Sequence, residues 1–290
     1  QMVCWIIQNH LSSIKPTTEP LQHKQYYKNF YPMDKLHIVK IGGGLLSDEK
    51  LMASALSSFH ALVGHKILIH GGGKQANELC EKLGIQPNMQ NGRRITDDAT
   101  LDVAVMVYAG LANKKVVAKL QQFGTNAIGL SGADANVIRA TKRPVQDIDY
   151  GWAGDIKSVD ITSLKNILSI GLSPVFCAIT HNQKGQLLNT NADTIAAALA
   201  SALAADYEVH LHYCFGYRGV LKDINDENSV IPTIRITEID ELHNDGIIAD
   251  GMLPKLNNAA EALQNGVHVV TIENPEAVHD EQASKTTLIK

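Results

Sequence analysis

Cysteine is scarce in this chain. Its 290 residues carry four, Cys4, Cys80, Cys177 and Cys214, with no CxxC or CxH spacing among them. That scatter argues against a zinc knuckle and against a disulfide framework, and it fits a reducing, cytoplasmic setting. Long apolar runs are also missing. Nothing approaches the ~20 residues of a membrane span, and Val3–Ile7 is too short and wrongly flanked for a signal peptide. Charge of one sign is not in excess: 26 Lys and Arg face 30 Asp and Glu, a net charge of −4. No basic stripe is present, and Arg93-Arg94 is an isolated pair, so nucleic acid is not an expected partner. The two common nucleotide signatures are absent as well. A P-loop needs GxxxxGK[ST], but Gln75 follows Gly73-Lys74 and position 68 is leucine. The GxGxxG fingerprint fails at both glycine clusters, and no internal repeat is convincing.

What the chain has is ordinary globular composition, 44% hydrophobic and 19% charged. Residues 1–32 stand apart, mixing His, Gln, Tyr, Lys and three prolines without a sustained period. They read as a poorly ordered extension upstream of a native start at Met33; a docking helix over 2–14 is the competing reading. From Met33 onward, strand, turn and helix alternate. Strands are expected at Leu36–Ile41, Ile67–Ile69, Asn126–Leu130, Leu172–Ile179, Val209–Tyr213, Val267–Ile272 and Thr287–Ile289, with a further piece of sheet from Gly219 to Lys222. Helices are expected from Ser47 to about Val63, over 74–83, from Asp97 or Asp98 to Phe123, over Asp193–Ala205 and from Pro254 to about Gln264. Residues 141–157 read as a loop or hairpin. The alternation predicts an α/β fold, a three-layer α/β/α sandwich around a mainly parallel sheet, with ligands beyond the carboxyl ends of its strands.

Two glycine turns are the most informative local feature. Lys40-Ile-Gly-Gly-Gly44 and His70-Gly-Gly-Gly73 each close a strand and open toward a helix. Glycines there leave backbone N–H groups accessible to an anion at close range. Lys40 either neutralises a phosphoryl group or is a surface lysine before an ordinary turn. Asn91-Gly-Arg-Arg-Ile-Thr96 either grips a carboxylate through an arginine or is a solvated loop ahead of a helix cap. Asn189-Thr-Asn-Ala-Asp193 either caps the alanine-rich helix or holds a polar substrate. Asp250-Gly-Met-Leu-Pro-Lys255 sets a lysine at a helix start, against the helix dipole unless an anion binds there.

Together and in this order, the five motifs resemble the amino-acid kinase family, and within it the branch that phosphorylates N-acetylglutamate. The resemblance covers the chain from Leu36 to about Ile289. It implies transfer of the γ-phosphoryl of Mg-ATP to the γ-carboxylate of an N-acylated glutamate, a step of arginine biosynthesis, with no tightly bound cofactor. It implies that Lys40 and Lys255 stabilise the transferring group, that Asp193 holds both lysines, and that Gly43 and Gly72 offer N–H groups. It implies that Gly72, Gly73, Arg94, Asn189 and Asn191 bind the acylglutamate, with Arg94 on its α-carboxylate. Gly219, Val220, Leu221, Asp250, Gly251, Met252 and Lys255 would line the ATP site. Residues 33–205 would form an acylglutamate-binding, dimerising lobe and 206–290 an ATP lobe. No metal ligand of the protein itself is implied.

Two stretches depart from the family pattern. Tyr213-Cys-Phe-Gly-Tyr-Arg-Gly-Val220 is longer than the usual segment before the ATP site and lacks its acidic residue. Residues 284–289 lack the glycine-threonine signature of arginine-inhibited relatives, and residues 1–32 do not match their hexamer-forming helix. An arginine-insensitive homodimer, joined across the helix at 98–123, is therefore expected. N-succinylglutamate is the alternative substrate, with Arg93 a candidate for the additional carboxylate. A non-catalytic amino-acid sensor is the alternative of another class, but it is expected to have lost Lys40, Lys255 or Asp193.

Overall fold

The computed structural model describes residues 33–90, 92–248 and 252–290. The extension 1–32 and the expected ATP contacts Asp250 and Gly251 lie outside the described residues.

Strand β1 (Lys35–Ile41) is buried from Leu36 onward on both of its faces. That is the condition of a central parallel strand covered on each side. It pairs in parallel with β2 (His65–His70), and between them runs α1 (Glu49–Ala61). Asp48, not Ser47, caps α1: its Oδ1 accepts from the N–H groups of Lys50 and Leu51, while Ser47 ends a short 3-10 turn. Carboxylate and hydroxyl are comparable caps, so two adjacent candidates could not be separated by type. Helix α2 (Gly73–Lys82) follows β2 directly, and a two-stranded hairpin, β3 (Met89–Gln90) with β4 (Arg93–Arg94), comes next.

Asp97 caps the long helix, as expected, by accepting from Thr100 N–H. That helix is not uniform. It runs as α3 (Asp98–Val105), a π-helical stretch at Met106–Ala112, and α4 (Asn113–Phe123), and ends at Gly124 with φ +91°. Strand β5 (Ala127–Leu130) lies beyond it. The expected hairpin is β6 (Ile138–Lys142) against β7 (Ala153–Val159). After α5 (Ile161–Ser169) the single strand expected over 172–179 is instead two, β8 (Ser173–Phe176) and β9 (Ile179–His181). Strand β9 leaves the central sheet and, with β6, β7 and β10 (Leu187–Thr190), closes a four-stranded ring. The chain then forms α6 (Ala192–Leu203), β11 (Glu208–Cys214), β12 (Thr233–Arg235), α7 (Ile239–Asn244), α8 (Leu253–Gln264), β13 (Val269–Glu273) and β14 (Thr286–Ile289). The sheet piece expected at Gly219–Lys222 is reduced to one bridge, Leu221 with Val230, outside the strands.

The central sheet has eight strands in the order β12-β14-β13-β11-β1-β2-β8-β5. Six of them, from β13 to β5, run parallel; β14 is antiparallel to β13. Side chains alternate between its faces. Leu36, Ile38, Leu211 and Tyr213 pack toward α6 and α8, whereas Val39, Ile41, Leu56, Phe59 and Leu120 pack toward α1 and α4. This is the expected three-layer sandwich.

Candidate active site

Strands β1 and β2 end level with each other, Ile41 opposite His70, so their glycine turns leave the sheet side by side. The turns touch. A Cβ added to Gly43 would lie 3.5 Å from the nitrogen of Gly72 and 3.6 Å from that of Gly73. Gly72 is as confined: a Cβ there would come within 2.6 Å of the Tyr108 ring. Glycine at these positions lets two backbones and an aromatic face meet at once, and α2 begins at the junction.

Lys40 is buried, and its Nζ lies 2.7 Å from Oδ1 of Asp193, in the first turn of α6. The other carboxylate oxygen, Oδ2, faces Lys255 Nζ at 4.0 Å. Lys255 comes from the first turn of α8 and rests over the Phe215 ring. A single carboxylate thus holds two ammonium groups from opposite ends of the chain. Asn191 caps α6 by accepting from Asp193 N–H and Thr194 N–H, so the cap fixes the very turn that carries the acid.

Beside this triad lies a cavity of about 220 Å³. Gly72, Gly73, Arg94, Asn189 and Asn191 all line it, which unites the residues expected to meet a substrate. Arg94 is buried and donates Nη2 to the Gly73 carbonyl at 3.0 Å, while its buried Nη1 has no hydrogen-bond partner among the described residues. Leaving a charged donor unsatisfied in the interior costs on the order of 1–3 kcal/mol or more. A carboxylate delivered to Nη1 removes that cost. Asn189 donates to Thr96 Oγ1, linking β10 to the arginine loop.

Tyr108, which the sequence places only at helical spacing in the long helix, and Arg143, which it does not mark, also line the cavity. Tyr108 sits in the π-helical stretch, whose wider turn shifts the helical phase, so 3.6-residue spacing could mark it only as core. Burial raises its phenol pKa, opposed by the Arg94 charge. Arg143 carried no signal in a proline-bearing loop; it forms a bidentate pair with Asp155. Arg93 faces the same cavity, and burial followed by the Arg143 charge lowers its pKa.

Gly219, Val220 and Leu221 are not among the residues lining that cavity. Val220 N–H is already given to Thr286 Oγ1 at 2.8 Å, and a Cβ on Gly219 would meet that same oxygen at 2.6 Å. Met252 stands at the N-cap of α8.

The fold agrees with comparisons to known proteins. The chain is 48% identical over 252 residues to the acetylglutamate kinase of Bacteroides thetaiotaomicron, covering 87% of this chain and 98% of that one. It is 36% identical over 247 residues to the acetylglutamate kinase of Methanopyrus kandleri, covering 84% and 96%. Among solved structures, carbamate kinase from Giardia lamblia bound to AMP-PNP shares the fold with a TM-score of 0.63 at 15% identity, covering 88% of this chain and 98% of that one. N-acetylglutamate synthase from Neisseria gonorrhoeae, complexed with coenzyme A and N-acetyl-glutamate, reaches a TM-score of 0.76 at 22% identity over 94% of this chain and 64% of its own. A sequence profile of the amino acid kinase family matches residues 35–274, which take in the whole lysine–aspartate–lysine arrangement and the cavity beside it, and the chain belongs to that family.

Proposed function

We propose that this protein transfers the γ-phosphoryl group of ATP to the γ-carboxylate of N-acetyl-L-glutamate, in arginine biosynthesis. One observation carries the reading: Arg94, whose buried Nη1 has no hydrogen-bond partner among the described residues, lines a cavity beside two lysines joined through Asp193. The relatives' names supply the substrate and the reaction.

The chemistry follows from the charges. A carboxylate is already nucleophilic, so no general base is required. Phosphoryl transfer then depends on alignment and on neutralising charge spread over the transferring oxygens. Lys40 and Lys255 supply that charge from two sides, and the N–H groups of Gly43 and Gly72 add dipoles. Asp193 keeps the lysines at a set spacing. Arg94, Asn189 and Asn191 hold the acylglutamate. Mg²⁺ arrives with ATP, whose contacts we assign to Gly219, Val220, Leu221, Asp250, Gly251, Met252 and Lys255, within an ATP lobe from 206 to 290. The survival of Lys40, Lys255 and Asp193 in contact favours a kinase over a non-catalytic sensor.

Coupled ADP release with acetylglutamate, succinylglutamate and glutamate tests the reading. Turnover of an acylated substrate and none of glutamate is expected; no turnover of either acylated substrate by the folded protein rejects it. Succinylglutamate is the second reading, favoured by the presence of Arg93 in the lining of the same cavity as Arg94. Arg94→Ala is expected to raise KM for the acylglutamate by about 10- to 100-fold, the worth of a charge-assisted pair, with KM for ATP little changed.

The helix pair α3–α4 and its π-helical link form our proposed dimer surface. Met106 and Leu111 in that link are exposed apolar residues. Sedimentation is expected to give a dimer, and arginine at millimolar concentration is expected to leave activity unchanged. A hexamer or strong inhibition would overturn both statements. Among the described residues no helix is long and apolar enough to cross a membrane, and we place the enzyme in the cytoplasm.

A further inference from the structure

On the sheet face opposite Asp193, three histidines converge. His37 lies on β1, and His210 and His212 lie on β11; one ring nitrogen from each falls within 4.8 Å of the others. His37 Nδ1 and His212 Nε2 are 3.0 Å apart. Two nitrogens bound to one tetrahedral zinc at about 2.0–2.1 Å each sit roughly 3.4 Å apart, so a small ring movement suffices.

The surroundings are those of an oriented ligand set. Glu273 Oε1 lies 2.7 Å from His212 Nδ1, the ring nitrogen turned away from His37, and Thr271 bonds the same carboxylate oxygen. Glu208 engages His210 Nε2 at 2.8 Å. Carboxylates placed behind imidazoles fix ring orientation and raise ligand basicity in metal sites. Glu273 is fully buried, and its second oxygen, Oε2, has no hydrogen-bond partner among the described residues. A positive charge nearby stabilises such a buried carboxylate. A cavity of about 560 Å³ reaches the three histidines between the α1 end and the loop bearing His279 and Glu281, giving an ion a path in and room for a fourth ligand.

We propose that His37, His210 and His212 bind one divalent transition ion of the zinc class, with Glu273 and Glu208 as outer partners. Three imidazole nitrogens select zinc, cobalt, nickel or copper over magnesium and calcium. The ion ties β1 to β11 on the far side of the sheet from the phosphoryl-transfer residues, so it supports the fold and takes no part in the reaction.

The test is equilibrium dialysis of the chelator-treated full-length chain against Co²⁺, without nucleotide, followed by displacement with Zn²⁺. One ion per chain with micromolar or tighter affinity, and the visible absorption of a nitrogen-rich tetrahedral site, are expected. Zn²⁺ is expected to raise the Tm. His37→Gln and His210→Gln are each expected to weaken binding at least 100-fold, and His268→Gln, on an exposed position, to leave it unchanged. If the His37 variant does not fold, the partly exposed His210 position carries the comparison. Absence of stoichiometric binding, or equal binding by a folded His210→Gln variant, overturns the proposal.

Discussion

Lys255→Ala is expected to lower kcat by about 10²- to 10³-fold, as the loss of a preorganised charge at a reacting group does elsewhere, while KM for the acylglutamate moves little. The expectation rests on how Lys255 is held. Its Nζ stands 4.0 Å from Asp193 Oδ2, against 2.7 Å for Lys40 on Oδ1. The one carboxylate thus faces both ammonium groups, one on each oxygen. A transferring phosphoryl group that gathers negative charge interacts more strongly with the Lys255 ammonium as that charge develops. Its stabilisation is then stronger in the transition state than in the ground state, which is the part that raises kcat. The variant also removes a cation from the start of α8, where it opposes the helix dipole, so the fold is expected to tolerate the change. Steady-state kinetics in both substrates, with circular dichroism to confirm folding, check it. An unchanged kcat removes Lys255 from its assigned role.

Acid is expected to unfold the protein through His70 over the interval from about pH 6.5 down to about pH 4. His70 is fully buried at the end of β2, and its pKa falls to about 4 because burial disfavours the imidazolium. Its ring is also held as one tautomer. Nδ1 lies 2.7 Å from the Gly71 carbonyl and must carry the proton, whereas Nε2 lies 3.1 Å from Asn113 Nδ2, itself a donor, and must accept. A second proton would set two donors face to face. The unfolded chain, with an ordinary histidine pKa near 6.5, takes up the proton first, so stability falls as pH drops below that value and stops falling, for this residue, near pH 4. A shift of roughly 2.5 units corresponds to about 3 kcal/mol. Urea unfolding at several pH values, compared with His70→Gln, isolates the contribution: the variant should lose about 3 kcal/mol less than the parent across the interval. Parallel curves would exclude His70 as the origin. His37, which without a bound ion is pushed down to about 3 by burial and then by the neighbouring His212, acts in the same direction and remains in both proteins.

Much of this architecture was legible in the residues, for identifiable reasons. Strand β1 announced itself as a nearly unbroken apolar run, and the two triple-glycine turns could be placed at one sheet edge because parallel neighbours end together. The motifs led to the cavity because Arg94, Asn189 and Asn191 each sit within a few residues of an element boundary that turn and cap chemistry marks. Other features left no local trace. The π-helical stretch that brings Tyr108 onto Gly72 depends on one widened turn, invisible to a 3.6-residue period. The split of 172–179 into β8 and β9 depends on β9 finding β10 and β6, a tertiary choice that no periodicity within Leu172–Ile179 reveals. The segment from Gly219 to Lys222 has strand composition, but Thr286 and Ile231 take up its polar groups at Val220 and leave it a braced loop. The histidine cluster draws on two strands far apart in the chain, and its members looked like isolated residues in otherwise apolar runs.

The pairing of β1 with β11 bears on how the chain is made. His37 and His212 touch across it yet lie 175 residues apart. During synthesis at about 5–20 residues per second, β1 would wait on the order of 10–35 s for that neighbour. Until then one side of an apolar central strand is an unpaired edge, able to template contact with other nascent chains. The strand at the heart of the finished sheet is thus the one left longest without its second partner. Shielding during translation, by the ribosome surface or a chaperone, matters most for the first quarter of the described chain.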